Sequence, residues 1–192
     1  MREPDIALVI LASGLSKRFG INNKLIASFK GKPLIQHIID SCKPMNFGGR
    51  FAVIPSRSCA LRDLLLDNDF TLIENDKPLL GRVHSIKLAA QFIKKKRYQN
   101  MCLVLGDMPF VKTSDLKNII QNIGDNDKAI CCYKNTLMPP AIFRNNVIKT
   151  LITSHYQFSP KALFKHENYY KYNILKKTAL DIDTIEELRE LS

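Results

Sequence analysis

Along the chain, apolar positions follow two rhythms. An unbroken aliphatic run at residues 6–11 is short and has no alternation, the pattern of a strand buried on both faces. Residues 51–54, 70–73, 101–105 and 129–133 are further β-favouring runs. Between them the spacing changes to the helical period. Pro33 stands as a first-turn proline ahead of Leu34, Ile35, Ile38 and Ile39. Val83, Ile86, Leu88, Ala89 and Ile93 mark a second helix, and 115–123 a third with Thr113 or Ser114 as its cap. Asn145 caps a fourth that runs to Leu151, and Thr184 with Glu187 forms a capping box that starts the last. Repeated strand-then-helix units predict an α/β fold of three α/β/α layers, Rossmann-like, with a mainly parallel sheet. Ligands of such sheets bind beyond the carboxyl ends of the strands, so the loops that follow strands are where chemistry is sought.

Composition narrows this picture. With 192 residues the chain fits one domain, and 45% hydrophobic against 24% charged residues is an ordinary globular balance that excludes disorder. The apolar run at 6–12 is far shorter than the ~20 residues of a membrane span. Glu3 and Asp5 are out of place in the leader of a signal peptide, so no membrane association is expected. Five cysteines, Cys42, Cys59, Cys102, Cys131 and Cys132, lack C-x-x-C spacing and read as reduced thiols of a cytoplasmic protein. The net charge of +11 asks for an anionic ligand or a nucleic acid. Lys94 to Arg97 closes a helix, where cations favour the dipole and stay solvated. Tyr169, Tyr170 and Tyr172 with their lysines read as a protected edge strand rather than a base-stacking platform, and no nucleic-acid partner is expected.

The loop after the first strand carries the strongest chemical signal. Leu11, Ala12, Ser13 and Gly14 lead into Ser16, Lys17 and Arg18, and Lys24 follows. Small residues allow backbone N–H groups to approach phosphate oxygens, while Arg18 offers a planar fork and Lys24 a mobile point charge. The loop is neither a Walker loop nor the dinucleotide G-x-G-x-x-G. Asp107 follows a buried strand, where a carboxylate suits Mg²⁺, and Asp183 directly precedes the Thr184 cap with Asp181 beside it.

These segments resemble a known family. Leu11 to Lys24 read as L-A-S-G-x-S-x-R-F-G-x-x-x-K, similar to the signature of MobA-like nucleotidyltransferases. Leu105-Gly106-Asp107-Met108-Pro109 resembles the family's second motif, Pro140-Ala141-Ile142-Phe143 its P-x-L-F segment, and Asp181-Ile182-Asp183-Thr184 its closing D-I-D-T. The resemblance implies a single nucleotidyltransferase domain over residues 1–192, with a nucleotide-diphospho-sugar transferase-like fold. It implies Mg²⁺ as cofactor, held by Asp107 and Asp183, and Arg18 and Lys24 as catalytic cations. Leu11, Ala12, Ser13, Gly14, Ser16, Gly81 and Ser85 would bind the nucleotide. The reaction implied moves a nucleoside monophosphate from a nucleoside triphosphate to a phosphorylated small-molecule acceptor and releases pyrophosphate.

Ser13, where guanylyl enzymes carry glycine, leans toward CTP, so a CMP transfer to an acceptor such as molybdopterin is the first expectation, with a molybdoenzyme apo-protein as eventual partner. Two alternatives stand beside it. One is a guanylyltransferase or a sugar- or alcohol-phosphate nucleotidyltransferase of the same fold. The other is a non-catalytic nucleotide- or cofactor-binding relative, because 158–163 depart from the family's G-D-x-G-A-R segment.

Overall fold

The computed structural model describes residues 1–15, 19, 23–56, 58–153, 160–164 and 168–192. Strand β1 (Ile6–Leu11) leads, by way of the small hairpin β2 (Ser28–Phe29) and β3 (Lys32–Pro33), to helix α1 (Leu34–Cys42). There follow β4 (Gly49–Pro55), α2 (Cys59–Leu66), β5 (Thr71–Asn75), α3 (Gly81–Lys95) and β6 (Asn100–Leu105). Then come α4 (Thr113–Gln121), β7 (Lys128–Tyr133), β8 (Thr136–Arg144), α5 (Asn145–Thr153), β9 (Tyr169–Asn173) and α6 (Ile185–Leu191). One sheet takes the order β5-β4-β1-β6-β8-β7-β9. Only β8 runs against its neighbours, so the expected mainly parallel sheet is what forms.

Burial follows the apolar rhythm. Every residue of β1 is buried, as its lack of alternation requires. α1 turns Leu34, Ile35, Ile38, Ile39 and Cys42 inward, and each such aliphatic contributes roughly 1.5–3 kcal/mol when fully buried. α1 packs with α4 on one face of the sheet and α3 with α5 on the other. α4 starts earlier than its spacing suggests. The Asp115 carboxylate accepts from Lys112 N at 2.8 Å, so the start is fixed from inside the first turn rather than by Thr113 or Ser114 from outside. The capping box of α6 forms as expected, with Glu187 N donating to Thr184 Oγ1 (3.1 Å) and Thr184 N to Glu187 Oε2 (3.0 Å).

The tyrosines do sit on an edge strand, β9. Tyr170 and Tyr172 aim inward, their hydroxyls donating to Asn118 and Asp115 of α4. Burial, and then the Asp115 charge, hold the Tyr172 hydroxyl above its usual range. No helix among the described residues is long and apolar enough to cross a membrane.

Strand order places the site. From β1 the chain moves outward to β4 and β5, then returns to β6 on the other side of β1. The loops after β1 and β6 therefore diverge, opening a crevice at their carboxyl ends.

Candidate active site

In that crevice lies a cleft of about 310 Å³. The first loop lines it with Leu11, Ala12, Ser13 and Gly14, α3 with Gly81 and Ser85, and the loops beyond with Lys24 and Asp107. Eight of the eleven residues singled out by sequence thus share one cavity. Asp183 joins them through Lys24, while Arg18 and Ser16 lie outside the described residues.

Two backbone positions explain how the walls come so close. Gly81 has φ +78° and ψ −169°, a conformation open to glycine and strained for any side chain, and it turns the chain into α3. A Cβ on Gly106 would stand 3.2 Å from Leu25 and 3.3 Å from Ile35, so the residue before Asp107 packs tightly over the turn that carries Lys24. That turn is fixed by Asn23, whose Oδ1 accepts from Leu25 N at 3.0 Å.

The floor of the cleft is a buried polar triad. The Ser13 and Ser85 hydroxyls are 2.7 Å apart, and Asn75 Nδ2 donates to Ser85 Oγ (3.2 Å) and Ser13 Oγ (3.4 Å). Asn75 Oδ1 accepts from Lys77 N, so the amide ties the end of β5 to both serines. Sequence reasoning missed Asn75, because a lone asparagine at a strand end has no partner at recognisable spacing. It also missed Leu15, Pro78, Leu79 and Arg82 on the walls, although Arg82 directly follows Gly81, which it did single out.

Lys24 and the two acids, singled out by sequence for different roles, meet directly. Lys24, 7% exposed, donates all three ammonium hydrogens, to Asp107 Oδ2 (2.7 Å), Asp183 Oδ1 (2.8 Å) and Ile182 O (2.9 Å). Burial drives its pKa down, but the charges and hydrogen bonds of Asp107 and Asp183 outweigh this and hold it above its usual value. Ile182 N in turn donates to Asp107 O, so the C-terminal segment is stitched to the loop after β6. Asp181, on the rim, has its carboxyl pushed up, first by desolvation and then by the charges of Asp107 and Asp183.

The donor set fits a hard divalent cation. Asp107 Oδ1 is buried and makes no hydrogen bond. Asp107 Oδ2 and Asp183 Oδ1 already converge on a single positive charge. Among the described residues no three His, Cys, Asp or Glu side chains form a ready cage. Mg²⁺ needs none, since it commonly takes one or two carboxylates and completes its shell with phosphate and water.

A family model described as the MobA-like NTP transferase domain matches residues 8–169. The chain belongs to this family. It is 30% identical, over 123 residues, to the bifunctional protein GlmU of Francisella philomiragia, a match covering 64% of this chain and 26% of GlmU. It spans about a quarter of the length of the curated relatives it matches. Rv0371c of Mycobacterium tuberculosis has the same fold, with a TM-score of 0.79 at 23% identity over 97% of each chain. The complex of Rv0371c with manganese gives 0.70 at 21% identity, again over 97% of each. The inositol-1-phosphate CTP transferase of T. maritima gives 0.75 at 17% identity, over 94% of this chain and 90% of that one. The family match and the shared fold set the crevice between β1 and β6 as the place to seek the chain's chemistry.

Proposed function

We propose that this protein is a Mg²⁺-dependent nucleotidyltransferase that moves CMP from CTP to a phosphorylated small-molecule acceptor and releases pyrophosphate. The observation that carries the reading is the convergence of Asp107, Asp183 and Lys24 beside the cleft built by the first loop. A phosphate oxygen of the acceptor attacks the α-phosphorus, so the chain needs no nucleophile of its own. Mg²⁺, held by Asp107 and Asp183, would neutralise phosphate charge. Lys24 offers an ammonium to the phosphates once they draw it from the acids, and Arg18 supplies a second cation from the loop. Gly14 and its neighbours let the triphosphate lie close to the backbone. The triad of Ser13, Ser85 and Asn75 fills the cleft floor, where a smaller residue at position 13 would leave depth for a purine; this favours CTP over GTP. The five cysteines are unpaired, in keeping with a cytoplasmic setting.

The test is pyrophosphate release from each nucleoside triphosphate with Mg²⁺ and a panel of phosphorylated acceptors, molybdopterin among them. CTP should be the preferred donor. Asp107→Ala should lower turnover by at least about 10²-fold with the fold intact by circular dichroism. Wild-type turnover in that variant would overturn the assignment, and nucleotide binding without release from any pair would favour the non-catalytic alternative.

A further inference from the structure

Two more hollows adjoin the nucleotide cleft through shared lining residues. A small one of about 90 Å³ shares Arg82 and Leu105 with the cleft. A larger one of about 430 Å³ shares Arg82, Leu137, Met138 and Pro139 with the small one. Arg82 lines all three. It is exposed, at the first turn of α3, and makes no hydrogen bond or ion pair among the described residues. The large hollow lies over the sheet beside α3, walled by Ile86, Leu103, Ile130, Leu137, Phe143 and Phe164. Among the described residues, Arg82 is the one charged side chain in its lining.

We infer that this hollow holds the body of the acceptor, and that the acceptor is a phosphomonoester on an apolar or aromatic framework with its phosphate on Arg82. The inference rests on the nucleotidyltransfer reading above and deepens it. Charge complementarity fixes the polarity of the ligand: one unpaired guanidinium stands between a cleft suited to phosphates and an apolar chamber, and a guanidinium grips a phosphate through paired N–H donors. The chamber fixes the body. A polyhydroxylated sugar, or a pterin with donors and acceptors around its edge, would exchange water for a lining of aliphatic and phenyl groups and leave those groups unpaired. An apolar body gains from the same surface.

Asp181 faces the small hollow, and its charge opposes an anion there until a divalent cation offsets it. In the transfer step a non-bridging oxygen of the acceptor's dianionic phosphate forms a bond to the α-phosphorus as the α–β bridging P–O bond breaks. Pyrophosphate leaves with that electron pair. Six negative charges enter and six leave, so no proton has to be taken up or released.

Binding of naphthyl phosphate and of glycerol phosphate would be measured calorimetrically with Mg²⁺, with and without α,β-methylene CTP. Naphthyl phosphate should bind at least about tenfold tighter than glycerol phosphate. Arg82→Ala should weaken both ligands about tenfold or more. Leu137→Gln, on a half-buried position of β8, should weaken naphthyl phosphate alone. Equal affinity for the two phosphates, or a Leu137→Gln protein that binds naphthyl phosphate as the parent does, would overturn the proposal. Failure of the nucleotidyltransfer reading has a separate sign, the absence of α,β-methylene CTP binding, and leaves the naphthyl phosphate arm readable without nucleotide.

Discussion

Lys24 has three ammonium hydrogens and three oxygens that receive them, two of them carboxylate. Removing the ammonium leaves two acids facing one another, with side-chain exposures of 17% and 30% that allow water to relieve only part of the repulsion. Lys24→Met should therefore cost about 2 kcal/mol of stability in a chelator, less than the loss typical of a fully buried pair. Added Mg²⁺ should narrow the gap between variant and parent, because a divalent cation can replace the missing charge. Thermal unfolding in chelator and in Mg²⁺ measures both, and a gap indifferent to metal would separate this acid pair from cation binding. The sequence singled out these three side chains, since Lys24, Asp107 and Asp183 each stand in a recognisable motif. Their mutual pairing was not legible there, because contacts across 83 and 159 residues depend on where β6 and the C-terminal segment end in space. The same reason hid Asn75, which meets Ser13 only across β5, β4 and β1.

Helix α6 shows how a short element can act on the centre. Its capping carboxylate, Glu187 Oε2, accepts from Thr184 N and also from Asp183 N at 2.7 Å. The cap thus orients the backbone that presents Asp183. Glu187→Ala should cost about 1 kcal/mol as a lost cap, and lower kcat by more than that loss of stability explains at a temperature where the variant is fully folded. Equal kcat in parent and variant would confine Glu187 to the helix end. On α1, Asp40 meets Lys32 and Lys43 and accepts from Gln36. Desolvation raises its pKa, but the Lys32 and Gln36 hydrogen bonds and the lysine charges prevail and hold it below the usual value of 3.8. A lowered carboxyl pKa adds stability above the unfolded value, and that stability is lost as pH falls through the folded value. Asp40→Asn should therefore unfold at lower urea than the parent at pH 7, by up to about 1 kcal/mol for a solvent-screened site, and with little difference at about pH 3.

Other elements were less legible than these caps. α2 buries only Leu61 and Leu65, too few positions to establish a period. β8 carries Pro139 and Pro140 mid-strand, which ordinarily argues against a strand. It tolerates them because pairing with β7 jumps from Ile130–Ala141 to Cys131–Met138, and pairing with β6 begins only at Ala141, so neither proline must donate to the ladder.

Across the molecule, the apolar runs specified the sheet and its helical cover, while the position of the hydrophobic core also sets the reactivity of its thiols. Cys42, Cys102, Cys131 and Cys132 are buried and Cys59 is exposed. Burial pushes the Cys42 thiol up to about 12 and those of Cys102 and Cys131 well above their usual range, so their thiolates are scarce at neutral pH. In the native protein a disulfide reagent at about pH 8 should modify one thiol quickly and the other four only as the fold opens, with all five reacting at once in denaturant. Rapid native labelling of two or more would place the core cysteines nearer to solvent. The net charge of +11 likewise acquires a distribution. The C-terminal segment supplies Asp181 and Asp183 to the centre, and Lys24 brings a cation from the first loop to meet them. That meeting gives the resting protein a plug of its own making. Two acids this close would repel one another, and the ammonium of Lys24 balances them from within the chain, so the fold itself needs no bound cation at this point. On the proposed function, a metal that took these carboxylates would have to displace that plug, and an anionic ligand arriving with it would give Lys24 another partner to hold.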